Sequence, residues 1–546
     1  MQLKNTSIIL VAFGITAAVS LFWNWPFKVA EIGGGPSVLM YLALLLVVGI
    51  PVVLVELALG SWSKTSFPKS LKMIHSKLEF FGWFAAVNTF WLLIGICAIL
   101  SWAASFAIYS LSPLYPLSNW LYPLTGAFDF TNYFFNYADS LYPLIGLAII
   151  WSTIFLILVS TKWGPRIRSI AIKTVFPTLT IVLAIILALI IFFAGGVDPG
   201  INFYLGFNPS VFLNGSSWRT IITILFFNLG AGLGVLSFYT SKNPAQNKLT
   251  TLSIIAPLLG TALIFIGGLV FFSMSGASGL TNTFNTTNIL NPSSLLPMGT
   301  LGYPAAPFIG WQAGFATITR TMGPTIGKTL AFLFYTLTLI AGTLGLTLII
   351  EPIKETIKTK FNLSPRKLLA AIVTIGFLAS IPLTLTSTTP LGYNLTTLSN
   401  WWVEGFGLTI VIIVELIAAG WIWGADNTVG YINNNTRIKI PKWFKWIIKI
   451  VAPAVAIIAL AAAVYDTIKG YVLNNWGYLT PLITSWQTLA PWYTDPNFVF
   501  LLLVAVWLAS NLIIAAILTR RKPKEEEKEE KGEPKKKEKR SKEKNA

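Results

Sequence analysis

Apolar residues in this chain run in long blocks, and most charged residues fall in the short stretches between them. About twelve blocks are long enough to cross a bilayer as helices. They lie near residues 6–30, 37–60, 82–110, 141–161, 172–195, 218–241, 249–275, 327–356, 368–386, 401–424, 443–468 and 498–519. The third and eighth exceed the bilayer and should tilt or protrude. The pattern predicts an all-α polytopic membrane protein of about twelve transmembrane helices. Two blocks are interrupted. The first carries Ala17, Ala18, Val19 and Ser20 near its middle and then Pro26, and a tight Gly33-Gly34-Gly35-Pro36 turn follows it. The sixth carries Gly230, Gly232 and Gly234. Small residues at such spacings also pack helices together. Irregular backbone inside a span, however, persists only where it is buried in protein or lines a cavity. Two breaks at corresponding places in two five-span halves therefore point to a ligand site.

Charge fixes the orientation. Lys64, Lys69, Lys72 and Lys77 follow the second block, and Lys162, Arg166, Arg168 and Lys173 follow the fourth. Lys242 and Lys248, then Lys354, Lys358, Lys360, Arg366 and Lys367, then Arg437, Lys439, Lys442 and Lys445 continue the series. The alternate connections 111–140 and 387–400 hold no Lys or Arg. The basic connections belong in the cytoplasm, which places both termini there and predicts a multi-pass protein of the cell membrane. The net charge of +18 follows from this topology and implies no nucleic-acid partner. Charged residues make up 11% of the chain, against about 25% in soluble domains. The Lys/Glu-rich segment 522–546 cannot bury a core and should be a disordered, solvated tail. A single Cys97 and a single His75 leave no disulfide framework and no His- or Cys-built metal centre. With no nucleophile–base pair in a plausible site, an enzyme is not expected.

The opening stretch resembles the start of the neurotransmitter:sodium symporter family, through Trp23, Pro26, Gly33, Gly34, Gly35, Gly49, Pro51, Glu56, Leu57, Ala58 and Gly60. The likeness continues in Ser101-Trp102 with Phe106-Ala107, in Pro177-Thr178-Leu179, and in Phe226, Phe227, Leu229, Gly232, Gly234 and Tyr239. It runs on through Ala341-Gly342, Glu351-Pro352, Glu415-Leu416-Ile417 and Trp423-Gly424-Ala425-Asp426. The resemblance implies a transporter domain over 1–521, with inverted repeats at about 6–195 and 218–424 and extra helices at about 443–519. Its broken helices 1 and 6 would hold a small solute at mid-membrane, and alternating access would move an amino acid or similar organic solute.

The resemblance also assigns positions, and several depart from the family. Backbone carbonyls at Gly14, Ala17 and Ala341 would hold one sodium ion, but the two hydroxyl positions after them are Leu344 and Gly345. For the second ion, Leu21 stands where the family has Asn. Asn228 keeps an oxygen, Thr16 offers another, and the helix-7 position falls near Ala256. Hard cations need several oxygen ligands, so solute binding should respond little to replacing sodium, and no other cofactor is expected. The solute pocket would be lined by Ala18, Ser20, Leu92, Ile96, Phe227, Asn228, Gly230, Gly232, Leu233, Gly345 and Ile349. It is roomy and apolar, with few fixed polar groups. Where the family closes its outer gate with Arg and Asp, this chain has Asn24 and Asn400.

Three carboxylates sit in spans. Glu56 and Glu415 match family acids, and Glu56 reads as a structural hydrogen-bond acceptor between helices. Glu404 matches none. It lies one turn inward of Asn400, about 6 Å deeper, where it either faces the vestibule or meets a cationic group or a proton. A proton-coupled or uncoupled carrier and a non-transporting solute receptor remain alternative readings. Helices 9, 11 and 12 are uniformly apolar, which leaves the oligomeric state open.

Overall fold

The computed structural model describes residues 16–111, 140–160, 163–242, 248–278, 302–384, 398–468 and 496–521. The described chain is helical almost throughout. The first span, α1, is π-helical over Thr16–Asn24 and α-helical over Trp25–Ile32. α2 covers Pro36–Ser63, α3 Glu79–Leu111, α4 Tyr142–Val159, and α5 Trp163–Leu189. The sixth span is split into α6a, Gly215–Leu229, and α6b, Val235–Lys242. α7 covers Leu249–Ala277, α8 Pro324–Phe361 and α9 Pro365–Thr384. α10 begins as a π-helix over Leu398–Leu408 and continues through Thr409–Ile417 and Ala418–Ile422. α11 runs through Phe444–Trp446, Ile447–Val451 and Ala452–Ile468, and α12 covers Pro496–Arg520. Among the described residues, nine helices are long and apolar enough to cross a membrane. The split sixth span, α1 and α12 complete the expected series. The tail 522–546 and Gly14 lie outside the described residues.

Local chemistry sets the helix ends. α2, α8, α9 and α12 each start at a proline, whose fixed φ suits the first helical position and whose missing N–H has no partner to lose there. α1 stops at Gly33, whose φ of 107° lets both Gly33 N and Gly34 N close on the Val29 carbonyl. The chain then re-enters a helix at Pro36.

Burial separates a centre from a rim. The most apolar window of α3 is 89% buried, against 33% for α9 and α11. α3 is therefore the helix the others pack around, and the exposed apolar side chains of α9 and α11 suit contact with lipid. At Gly60 of α2 an added methyl would overlap the Ser237 carbonyl, so α2 and α6b meet backbone to backbone.

Among the described residues, four α-helices outside the expected spans were not legible in the apolar pattern: Phe67–Ile74, Asp198–Leu205, Gly302–Met322 and Ala425–Asn434. They are too short or too polar to cross a bilayer. The third still buries Phe308, Trp311 and Phe315 on one stripe. It packs on α7 and α8, on the face away from the basic connections, called the outer face below.

Candidate functional site

The break in the sixth span is a real loss of helix. α6a closes at Leu229, and Gly230, Gly232 and Gly234 take φ of 61°, 74° and 68°, a region that only glycine enters freely. The freed backbone groups need partners, and α2 supplies them. Glu56, fully buried, accepts from Gly232 N at 3.2 Å through Oε2 and from Ser237 N at 3.5 Å through Oε1. A carboxylate at the start of α6b also opposes the positive end of that helix. On the other side of the break, Thr89 Oγ1 of α3 donates to the Leu233 carbonyl at 3.5 Å. A Cβ at Gly232 would stand 3.0 Å from the Leu408 carbonyl of α10. The break is thus wedged between α2, α3 and α10. The reading of Glu56 as a structural acceptor stands. Thr89 was not foreseen, because a hydroxyl on an apolar helix carries no signal of its partner.

The interruption in α1 takes a different form. Where a loop would unwind the chain, residues 16–24 widen into a π-helix, which leaves some carbonyls open to outside donors. One is used at once: Trp311 Nε1 of the outer helix Gly302–Met322 donates to the Phe22 carbonyl at 2.9 Å. Phe22 also packs edge-on against Phe308, with ring centroids 4.6 Å apart. Two residues further out, Asn24 Nδ2 donates to Glu404 Oε2 at 3.2 Å across the interface with α10. Both side chains are buried, and the Lys28 charge acts attractively on Glu404. Asn88 of α3 steadies this part of α10 by donating to the Val403 carbonyl at 3.1 Å, and itself accepts from Trp507 Nε1 of α12 at 3.1 Å. The side chain of Asn400 lies outside the described set, so the expected Asn24–Asn400 contact has no observation to meet. Asn24 instead reaches Glu404.

Leu92, Ile96, Phe227, Leu233 and Ile349 are all buried within the hydrophobic core of the bundle. Ser20 is fully buried, and its Oγ has no hydrogen-bond partner among the described residues. Asn228 Nδ2 donates to Tyr41 Oη of α2 at 3.3 Å. Gly345 lies buried in α8. Ala18 is in the π-helical stretch, with its side chain outside the described set.

The profile of the sodium:neurotransmitter symporter family matches residues 3–121 and 141–517. The chain belongs to the sodium:neurotransmitter symporter family. It is a multi-pass membrane protein and a secondary solute transporter of the sodium-coupled symporter type. An uncharacterized sodium-dependent transporter of Methanocaldococcus jannaschii is 25% identical over 494 residues, covering 89% of this chain and 94% of that protein. A sodium-dependent nutrient amino acid transporter 1 of Drosophila grimshawi is 21% identical over 491 residues, covering 82% and 74%. The fold is that of MhsT, solved in complex with L-phenylalanine, with a TM-score of 0.70 at 19% identity over 84% of this chain and 98% of that one.

The family's ion positions can now be placed. Thr16 and Ala17 fall in the π-helical stretch, and Ala341 is buried in α8. Leu344 offers only its carbonyl, which accepts from Thr347 Oγ1 at 2.7 Å. Leu21 is fully buried, and its Cγ stands 2.6 Å from where a Cβ on Gly267 would lie. That contact corrects the register of α7. Gly267 is eleven residues beyond Ala256, about 16 Å along a helix, so Ala256 does not face Leu21. At Leu21, which the resemblance aligns with a ligand of the second ion, the side chain is hydrocarbon packed on α7.

Towards the basic side, the Tyr239 hydroxyl of α6b lies 3.1 Å from Glu351 Oε2 and 3.2 Å from the Leu348 carbonyl, tying α6b to α8. Glu415 is buried close enough to Glu56 to interact with it electrostatically, and neither of its oxygens has a partner among the described residues. At the membrane edge, Glu79 is held by Lys360 at 2.6 Å, Lys72 at 3.0 Å and Trp83 Nε1 at 3.2 Å. This network joins the foot of α3 to the end of α8.

Proposed function

We propose that this chain carries an amino acid or a similar small organic solute across the cell membrane by alternating access, with both termini in the cytoplasm. The observation that carries this reading is the wedged break between α6a and α6b, where glycines at positive φ free backbone groups beside α2, α3 and α10. Such a break offers fixed backbone groups to the polar end of a solute, and the buried Leu92, Ile96, Phe227, Leu233 and Ile349, at the positions the family resemblance assigns to the pocket, would take its apolar part. The routes on both sides are covered: by Asn24–Glu404 and Trp311 on the outer face, and by Tyr239 with Glu351 towards the basic side. Opening one set while the other stays closed is the motion alternating access requires. The names of relatives that carry amino acids support the same solute class.

Sodium enters this reading as co-substrate. With Leu21, Leu344 and Gly345 at ion positions, an ion would be held mostly by backbone oxygens, with Thr16 and Asn228 as further donors. Weak, shallow sodium dependence is the expected result.

The test is equilibrium binding of an amino-acid panel to purified protein. Binding is expected in the wild type and lost in Gly345→Phe, which sets an aromatic ring at the position on α8 that the family resemblance assigns to the pocket. Binding of equal affinity in that variant would move the site elsewhere.

A further inference from the structure

Glu404 is a carboxylate held at 3% exposure between α1 and α10. Ionised, it needs more than one neutral hydrogen bond to offset the loss of water. Asn24 gives it one, at 3.2 Å, and Lys28, only partly buried, adds attraction from one turn further out on α1. Ser20 lies four residues inward of Asn24, close to one turn in either helical form. Its hydroxyl is fully buried and lacks a partner among the described residues. Lys28, Asn24 and Ser20 thus follow one stripe of α1, which leads from the partly buried Lys28 to the fully buried Ser20. Two buried acceptors therefore follow one another inward along that stripe, the Glu404 carboxylate bonded to Asn24 and, about one turn below, the Ser20 hydroxyl oxygen.

We propose that the solute bears a positive charge, an ammonium or a guanidinium, which pairs with Glu404, displaces the Asn24 amide and donates a further hydrogen bond to Ser20 Oγ. A basic amino acid is the class that fits. Its aliphatic stem lies along Leu92, Ile96 and Phe227, and its charged head reaches the carboxylate, the division that long cationic side chains show at apolar surfaces. Entry of the solute then exchanges Asn24 for a stronger, charge-assisted donor. This rests on reading those residues as the solute site.

The experiment measures competition of L-arginine, L-lysine and L-leucine for uptake into proteoliposomes, in wild type, E404Q and E404D. A buried charge-assisted bond contributes roughly tenfold or more in affinity. The wild type is therefore expected to prefer arginine or lysine to leucine by about that factor. E404Q should lower the arginine-to-leucine ratio about tenfold, and E404D, which keeps the charge, should retain most of it. A wild type that prefers leucine overturns the proposal. So does an equal fall for all three solutes in E404Q and E404D, which would mean that Glu404 only holds α10 to α1. If E404Q does not fold, the wild-type preference and E404D decide. Uptake of leucine alone overturns the charge assignment and leaves the site reading intact, whereas uptake of none of the three overturns both.

Discussion

At the residue scale the account turns on carboxylates and what satisfies them. Glu56 holds the α6 break by accepting from Gly232 N and Ser237 N. Glu56→Leu leaves both amides buried and unpaired, which costs about 1–3 kcal/mol for each group. Solute binding is expected to be abolished, and thermal unfolding of the detergent-solubilised protein should fall clearly below wild type; unchanged binding would remove Glu56 from the site's support. The role of Glu56 was legible because a carboxylate in a span needs a partner and a glycine-rich break has amides to offer. The partner of Asn24 was not. Asn400 and Glu404 lie one turn apart on α10, and which one a side chain on α1 meets depends on the relative height of the two helices. No local pattern encodes that height. The register of α7 failed for the same reason: Leu21 meets Gly267, while Ala256 lies about 16 Å away along the helix.

At the scale of elements, the apolar blocks gave most of the described spans to within a few residues, since length and hydropathy are what a bilayer selects; α5 begins nine residues before its block, at Trp163. The glycine cluster marked the α6 break because residues at positive φ leave a compositional trace. The π-helical form of α1 left none, being an extra residue per turn with no residue preference strong enough to read. The helix Gly302–Met322 was also missed. Its Thr, Gly and Pro residues dilute the apolar signal, while Phe308, Trp311 and Phe315 still bury one face. That helix reaches the π-helical carbonyl of Phe22 through Trp311 Nε1. Trp311→Phe keeps the ring and removes the donor, a net change of about 1 kcal/mol. The expected outcome is slower uptake and faster labelling of a cysteine placed at the partly buried Ala30, as α1 loosens from its cover. Labelling at the wild-type rate would show that the contact does not hold the outer side closed.

At the scale of the whole molecule, the chain has the family's frame, with leucine side chains where the family resemblance assigns ion ligands. Leu21 packs on α7, and the Leu344 carbonyl is engaged by Thr347. Replacing sodium by potassium or choline is expected to change solute affinity by only a few-fold, with no steep saturation. Steep, saturable sodium dependence would mean that backbone oxygens with Thr16 and Asn228 suffice to hold the ion. The central claim is transport itself. It is tested most directly by radiolabelled amino-acid counterflow in proteoliposomes preloaded with unlabelled solute, where exchange proceeds without any ion gradient. The account predicts a saturable, transient accumulation of label that is absent in Gly345→Phe. Binding of the same amino acid with no counterflow would contradict it, and would make the chain a receptor built on a transporter's frame.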